Sequence, residues 1–226
     1  MSETAAPPEP IKPPIQAVMI PVTPFQQNCS IIWSEATMTG AVIDPGGDLP
    51  RILAAVGQAG VAVEKILLTH GHVDHAAGAG ALAGQLGVPI EGPHEADRFL
   101  IEGLPEQAEQ LGFGPALAFE PSRWLDEGDE VTVSDLVLEV RHCPGHTPGH
   151  VIFFHRPSNL AVVGDVLFQG SVGRTDLPGG DHAALIRSIR TRLWPLGSDI
   201  TFLPGHGPMS TFAAERAGNP FVGDGV

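Results

Sequence analysis

Short apolar runs, rather than long amphipathic stretches, set the rhythm of this chain. In the first half they are Ala17–Val22 (AVMIPV), Cys29–Trp33 (CSIIW), Gly40–Asp44 (GAVID), Ile66–Leu68 and Val88–Ile90. In the second half they are Val131–Val133, Leu136–His142, Val151–His155, Leu160–Val163 and Ile200–Leu203. Brevity, β-branched content and the turns that bound them predict strands. Helical spacing appears between the runs. Leu49, Ile52, Leu53 and Val56 predict a helix over 49–58, and the alanine-rich stretch 76–86 predicts another. Leu185, Ile186, Ile189 and Leu193 predict a third over 181–193, with Asp181 as its N-cap, and Ser210–Arg216 predicts a last one. Residues 94–124 have no clear period and are expected to hold one or two short helices and a loop. Meanders of strands with helices between them point to an α/β sandwich: two sheets face to face, helices outside. No fixed-period repeat is visible.

Composition narrows this picture. The chain has 226 residues, of which 42% are hydrophobic, enough for a substantial core. Residues 1–14 (MSETAAPPEPIKPP) are proline-rich and polar and are expected to form a disordered leader, leaving 15–226 as a single domain. The formal charge is −14, and Lys12 and Lys65 are the lysines, so phosphate backbones and anionic membrane surfaces are disfavoured as partners. Two cysteines, Cys29 and Cys143, are too few for a disulfide framework. No signal-like segment and no apolar run near the ~20 residues of a bilayer span are present. A cytoplasmic location, as a monomer or small homo-oligomer, is the expectation.

The chemistry lies where strands end. Ile66–Leu68 runs into Thr69–His75 (THGHVDH), LEVRH into CPGH ending at His146, LAVV into Gly164-Asp165, and TFL into PGHG with His206. Glycine allows a sharp turn and close backbone approach at each. If these strands share a sandwich, their carboxyl ends line one rim, and seven donors gather: His70, His72, Asp74, His75, His146, Asp165 and His206. Imidazole and carboxylate suit zinc, and also iron or manganese. Seven donors exceed one tetrahedral site and match two divalent ions about 3.5–4 Å apart. The remaining histidines, His94, His142, His150, His155 and His182, read as hydrogen-bonded or surface residues, with His150 a candidate to position His146. Cys143 and Cys29 read as small buried residues.

THGHVDH, CPGHTPGH, GDVLF and LPGHG, in that order, resemble the metallo-β-lactamase fold superfamily. Within it, PVTPFQQNCSIIW, VIDPGGD and GRTDLP resemble the bacterial glyoxalase II-like hydrolases, the compact hydroxyacylglutathione hydrolases. The resemblance runs from about Val18 to Phe221. It implies a four-layer αββα sandwich with the metal site at one edge. It implies His70, His72 and His146 on one ion, Asp74, His75 and His206 on the other, and Asp165 bridging. Asp44 matches an aspartate that supports the metal loop, and is also a natural turn-former. Longer relatives grip glutathione with basic residues and tyrosines; this sequence has no tyrosine. Arg174 is the candidate for a substrate carboxylate, and is equally placed to pair with Asp176.

The implied reaction is thioester hydrolysis, with S-D-lactoylglutathione or a related hydroxyacyl thioester as the small-molecule substrate. Hydroxide shared by the two ions would attack the acyl carbon, with Asp74 orienting it. A thiolate leaves without prior protonation, which favours thioesters over amides. The alternative is a mononuclear-iron persulfide dioxygenase acting on glutathione persulfide, a family with similar motifs whose iron sits on two histidines and an aspartate.

Overall fold

The computed structural model describes residues 15–226; the proline-rich leader expected over residues 1–14 lies outside the described residues. Strands β1 (Ile15–Val22), β2 (Gln27–Ser34) and β3 (Thr39–Ile43) lead into helix α1 (Leu49–Ala59) and strand β4 (Ala62–Leu67). Helices α2 (Val73–Ala76) and α3 (Ala79–Leu86), strand β5 (Ile90–Glu91) and helices α4 (Arg98–Glu102) and α5 (Leu104–Leu111) follow. The second half holds β6 (Glu130–Val133), β7 (Leu136–His142), β8 (Val151–His155), β9 (Leu160–Gly164) and the small hairpin of β10 (Leu167–Phe168) and β11 (Ser171–Val172). Helix α6 (His182–Ser188), β12 (Thr201–Pro204), β13 (Ser210–Thr211) and α7 (Phe212–Gly218) complete it. One sheet has the order β1-β2-β3-β4-β5, the other β13-β12-β9-β8-β7-β6.

The apolar runs are nearly continuous because both faces of these strands are covered, and alternate residues enter different cores. Ile31, Val42 and Ile66 face α1, α3 and α5, where Ile52, Leu82 and Leu104 meet them. Ile32, Ile43 and Leu67 face the other way, into a core between the sheets shared with Val140, Phe153 and Leu203. Phe154, Val163 and Phe202 point outward from the second sheet onto Leu185 of α6 and Phe212 of α7. Three cores between four layers make an αββα sandwich of the expected class. Asp181 caps α6, its side chain accepting from Ala184 N at 2.9 Å.

One expectation changes. The helix read over 76–86 begins at Ala79, and Ala76 closes a separate short helix, α2, with a turn at Ala77–Gly78 between the two. There Gly78 packs directly on the Pro45 carbonyl, where a Cβ would not fit. The break leaves α2, with Asp74 and His75, free to face the rim rather than follow α3.

Candidate metal centre

Strand direction brings the predicted turns together. β3 and β4 are parallel, so Asp44 and the His70 loop leave the first sheet side by side. β9 and β12 are parallel, and β7 is two antiparallel steps from β9, so all three end on the same edge. That edge releases His146, Asp165 and His206. Backbone hydrogen bonds join the sheets there: Val151 N donates to the Thr69 carbonyl at 2.8 Å and Asn28 N to the Gly205 carbonyl at 2.7 Å. Gly205 is required by close approach, since a Cβ on it would collide with Asp165 Oδ1.

All seven sequence-predicted donors meet at this rim. Potential ligand atoms of His70, His72 and His146 lie within 4.8 Å of one another, as do those of Asp74, His75 and His206. Asp165 spans the two sets: Oδ1 is 3.4 Å from His75 Nε2, while Oδ2 is 3.6 Å from both His146 Nε2 and His206 Nε2. His206 Nε2 lies 3.2 Å from Asp74 Oδ2. Donors bonded to one tetrahedral ion at ~2.1 Å sit roughly 3.4 Å apart, so these spacings suit shared cations. His70 Nε2, His75 Nε2 and Asp165 Oδ1 are buried and have no hydrogen-bond partner. Orphaned buried polar atoms are costly, and a cation would satisfy all three. The residues therefore fit a pair of divalent ions.

Hydrogen bonds behind the rim choose the tautomers. Thr69 Oγ1 gives its single proton to Asp44 Oδ2 at 2.6 Å, so it accepts from His70 Nδ1 at 3.0 Å. His75 Nδ1 donates to the same Asp44 oxygen at 2.9 Å. His146 Nδ1 donates to the Arg174 carbonyl at 2.7 Å. Each bond places a proton on Nδ1 and turns Nε2 toward the centre. Asp44 also accepts from Thr69 N at 2.8 Å, so its carboxylate supports the loop from behind rather than joining the donors.

Ionisation differs across the set. Burial pushes His70 and His146 down, and takes His72 to about 3, so these imidazoles are neutral. Burial also works against protonated His75 and His206, but neighbouring carboxylates outweigh it and both are raised: Asp165 and Asp74 act on His75, and a hydrogen bond to Asp74 and the charge of Asp165 act on His206. For Asp74 and Asp165 burial favours the neutral acid, yet the charge of His75 prevails and both are lowered.

Some residues take parts the sequence did not reveal. Asp97, fully buried at the foot of α4, accepts from Gly71 N at 3.0 Å, Thr147 Oγ1 at 2.8 Å and Gly149 N at 2.6 Å. It ties the His70–His75 loop to the His146 loop. Burial pushes it up to about 6 against those three donors. Nothing in HEADRF marks it. His150 hydrogen-bonds Asp165 rather than His146: its Nε2 accepts from Asp165 N at 3.0 Å, its ring stacks on His70, and it meets His146 only edge-on with ring centroids 6.1 Å apart. The Arg174 side chain is exposed and forks onto Asp176 through Nε and Nη2, both at 2.7 Å. Cys143 and Cys29 are buried free thiols, and burial raises both.

The model of the metallo-β-lactamase superfamily matches residues 22–206. Hydroxyacylglutathione hydrolase GloC of Haemophilus influenzae is 46% identical over 205 residues, covering 90% of this chain and 96% of its own. The crystal structure of TTHA1623 in a di-iron-bound form superposes with a TM-score of 0.82 at 36% identity, covering 90% of this chain and 99% of that one. The crystal structure of BLEG-1 B3 metallo-β-lactamase does so with a TM-score of 0.85 at 31% identity, covering 92% and 99%. With the motifs, the four layers and the donor-lined rim in agreement with these matches, the chain belongs to the metallo-β-lactamase superfamily.

Proposed function

We propose that this metallo-hydrolase cleaves hydroxyacyl thioesters, S-D-lactoylglutathione or a related compound, on two divalent ions, with zinc the metal that best suits the donors and iron or manganese compatible with them. The convergence of all seven donors carries the reading, supported by 46% identity to an enzyme named hydroxyacylglutathione hydrolase. His70, His72 and His146 hold one ion, Asp74, His75 and His206 the other, and Asp165 is shared. When bound, such ions acidify water and polarise a carbonyl oxygen. The chain's own residues prepare for this. Asp44, Thr69 and the Arg174 carbonyl keep three Nε2 atoms aimed inward. Asp74 lines the cleft, stays ionised and can accept a proton from the attacking water, which orients it. A thiolate leaving group, from a thiol of pKa about 8.5, needs no proton donor. Arg174 stands at the cleft wall as the candidate contact for a charged substrate group.

The test is elemental analysis of protein purified without chelator, paired with thiol release from S-D-lactoylglutathione. Two equivalents of metal and a hydrolysis rate that chelation removes are expected. Metal-loaded protein without hydrolase activity would overturn the proposal. One equivalent of iron with oxygen uptake on glutathione persulfide would support the dioxygenase instead.

A further inference from the structure

Above the donors the rim opens into a cleft of about 880 Å³, more than a small hydroxyacyl group fills, so the leaving thiol has room there. Phe25, Phe99 and Leu111 give the cleft apolar walls, and α5 adds a polar strip of Glu106, Gln107 and Gln110. In a small-molecule site the few polar groups among apolar walls set which ligand is held. The strip is fixed relative to the metal loop. Gln107 Nε2 donates to the Leu100 carbonyl of α4 at 2.8 Å, and Leu100 packs against Gly71, between His70 and His72.

The same bonds decide what the strip presents. A carbonyl only accepts, so the Gln107 amide nitrogen faces Leu100 and its Oε1 is left over. Gln110 Nε2 donates to Glu106 Oε1 at 2.9 Å, and a carboxylate only accepts, so Gln110 Oε1 is left over as well. With Glu106 Oε2, three oxygens of the strip have no partner among the described residues. Glu106 also lacks a cation partner among them. The other charged wall residue outside the donor set, Arg174, has its counter-ion in Asp176. The unmatched charge on this wall is therefore negative. An ammonium, with three N–H donors, suits a carboxylate oxygen flanked by two amide oxygens.

We propose that the α5 strip is the subsite for an ammonium-bearing arm of the leaving thiol, with Glu106 as its counter-ion and the Gln107 and Gln110 oxygens as acceptors. This rests on the thioesterase reading of the site. In a glutathione thioester the arm is the γ-glutamyl end, which carries the one ammonium; the carboxylates are left to Ser171, Arg174 and open solvent. The experiment compares the S-D-lactoyl thioesters of glutathione and of N-acetylglutathione, acetylated on that amine, on the metal-loaded full chain and on Glu106→Gln. Acetylation removes the cation several bonds from the sulfur and leaves the reacting thioester alike. Glu106 and Gln110 are exposed, so water screens the pair and the effect is modest. Wild-type KM should be about three- to tenfold higher for the acetylated thioester with kcat little changed, which is how a lost binding contact reads. Glu106→Gln can keep the bond from Gln110 but turns the outward oxygen into a donor. It should raise KM for the glutathione thioester by a similar factor and close the gap between the two substrates to under about twofold. A wild-type gap under about threefold, or a gap that stays above about twofold in Glu106→Gln, overturns this inference alone. Turnover of neither thioester overturns the thioesterase reading itself, and this inference with it.

Discussion

His70, His72 and His146 bring three imidazoles and no carboxylate to the rim, whereas Asp74, His75 and His206 mix both kinds of donor. In the first trio burial outweighs the nearby Asp74 and Asp165 carboxylates and keeps the rings neutral, with His72 taken to about 3. In the second, Asp74 and Asp165 hold His75 and His206 toward the protonated form, and their own pKa values fall in return. A cation entering the first trio meets neutral rings. A cation entering the second must displace protons. The buried charges of the second trio compensate one another, which is how a rim can hold two carboxylates out of bulk water.

The largest effect expected is from His72→Ala, which removes a donor from the trio that lacks carboxylates. Hydrolysis should fall by more than about 100-fold, beyond what losing an outer hydrogen bond costs, with a matching loss of bound metal. Wild-type turnover in that variant would remove the assignment.

Asp44→Asn should act on both trios, because Asp44 fixes His75 directly through Nδ1 and His70 through Thr69 Oγ1. A drop of about 10–100-fold in metal affinity is expected. Competition against a chromophoric chelator should show the His75 site, held directly, weakened more than the His70 site, held through Thr69. A His75 site of unchanged affinity would remove Asp44 from the support of that ring.

Acidity separates the trios more gently. Because His75 and His206 are raised, protons occupy them below those raised values, and metal must expel them. Affinity at the second site should fall as pH falls, by up to about tenfold per pH unit for each proton displaced, and fall less at the first. The same shift has an opposite consequence for chelated protein. The stability His75 contributes by protonation is complete below its unfolded pKa, near ~6.5, and is lost as pH rises through its raised folded value. Titrations of affinity and of Tm against pH, on loaded and chelated protein, check both signs.

The smallest effect is expected at Asp97→Asn. The amide keeps one acceptor oxygen, which can serve Gly71 N and Thr147 Oγ1, but then turns an NH2 against Gly149 N. A loss of about 1–3 kcal/mol in stability is expected, with a modest weakening of metal at His70, His72 and His146, whose loops Asp97 joins. Thermal unfolding and metal competition measure the two parts. A change in stability with no change in metal affinity would leave Asp97 a purely structural tie.

Much of this was open to reading along the chain. Ile31 and Ile32, or Leu67 and Leu68, sit next to each other in apolar runs because neighbouring strand residues face different cores, and that pattern announces a covered sheet. His70, His72, Asp74 and His75 are conspicuous because they crowd one turn. His146, Asp165 and His206 are conspicuous only through glycine turns after strands. Asp97 has no such signal, because its partners Gly71, Thr147 and Gly149 lie far from it in sequence. The close approach at Gly78 was hidden for the same reason: the Pro45 carbonyl it packs on belongs to another loop. Arg174 had two open readings, and the structure shows it both forked onto Asp176 and lining the cleft, so the ion pair does not by itself decide the substrate role.

Sequence alone therefore determined which side chains could serve as donors, how many there are, and that each follows a strand. These are properties of near neighbours: period, turn chemistry and residue type. Tertiary structure alone decided which ring nitrogen faces inward, what ties the loops together and what lines the cleft above them. Those depend on strand direction and order in two sheets, which bring together residues that no local pattern relates.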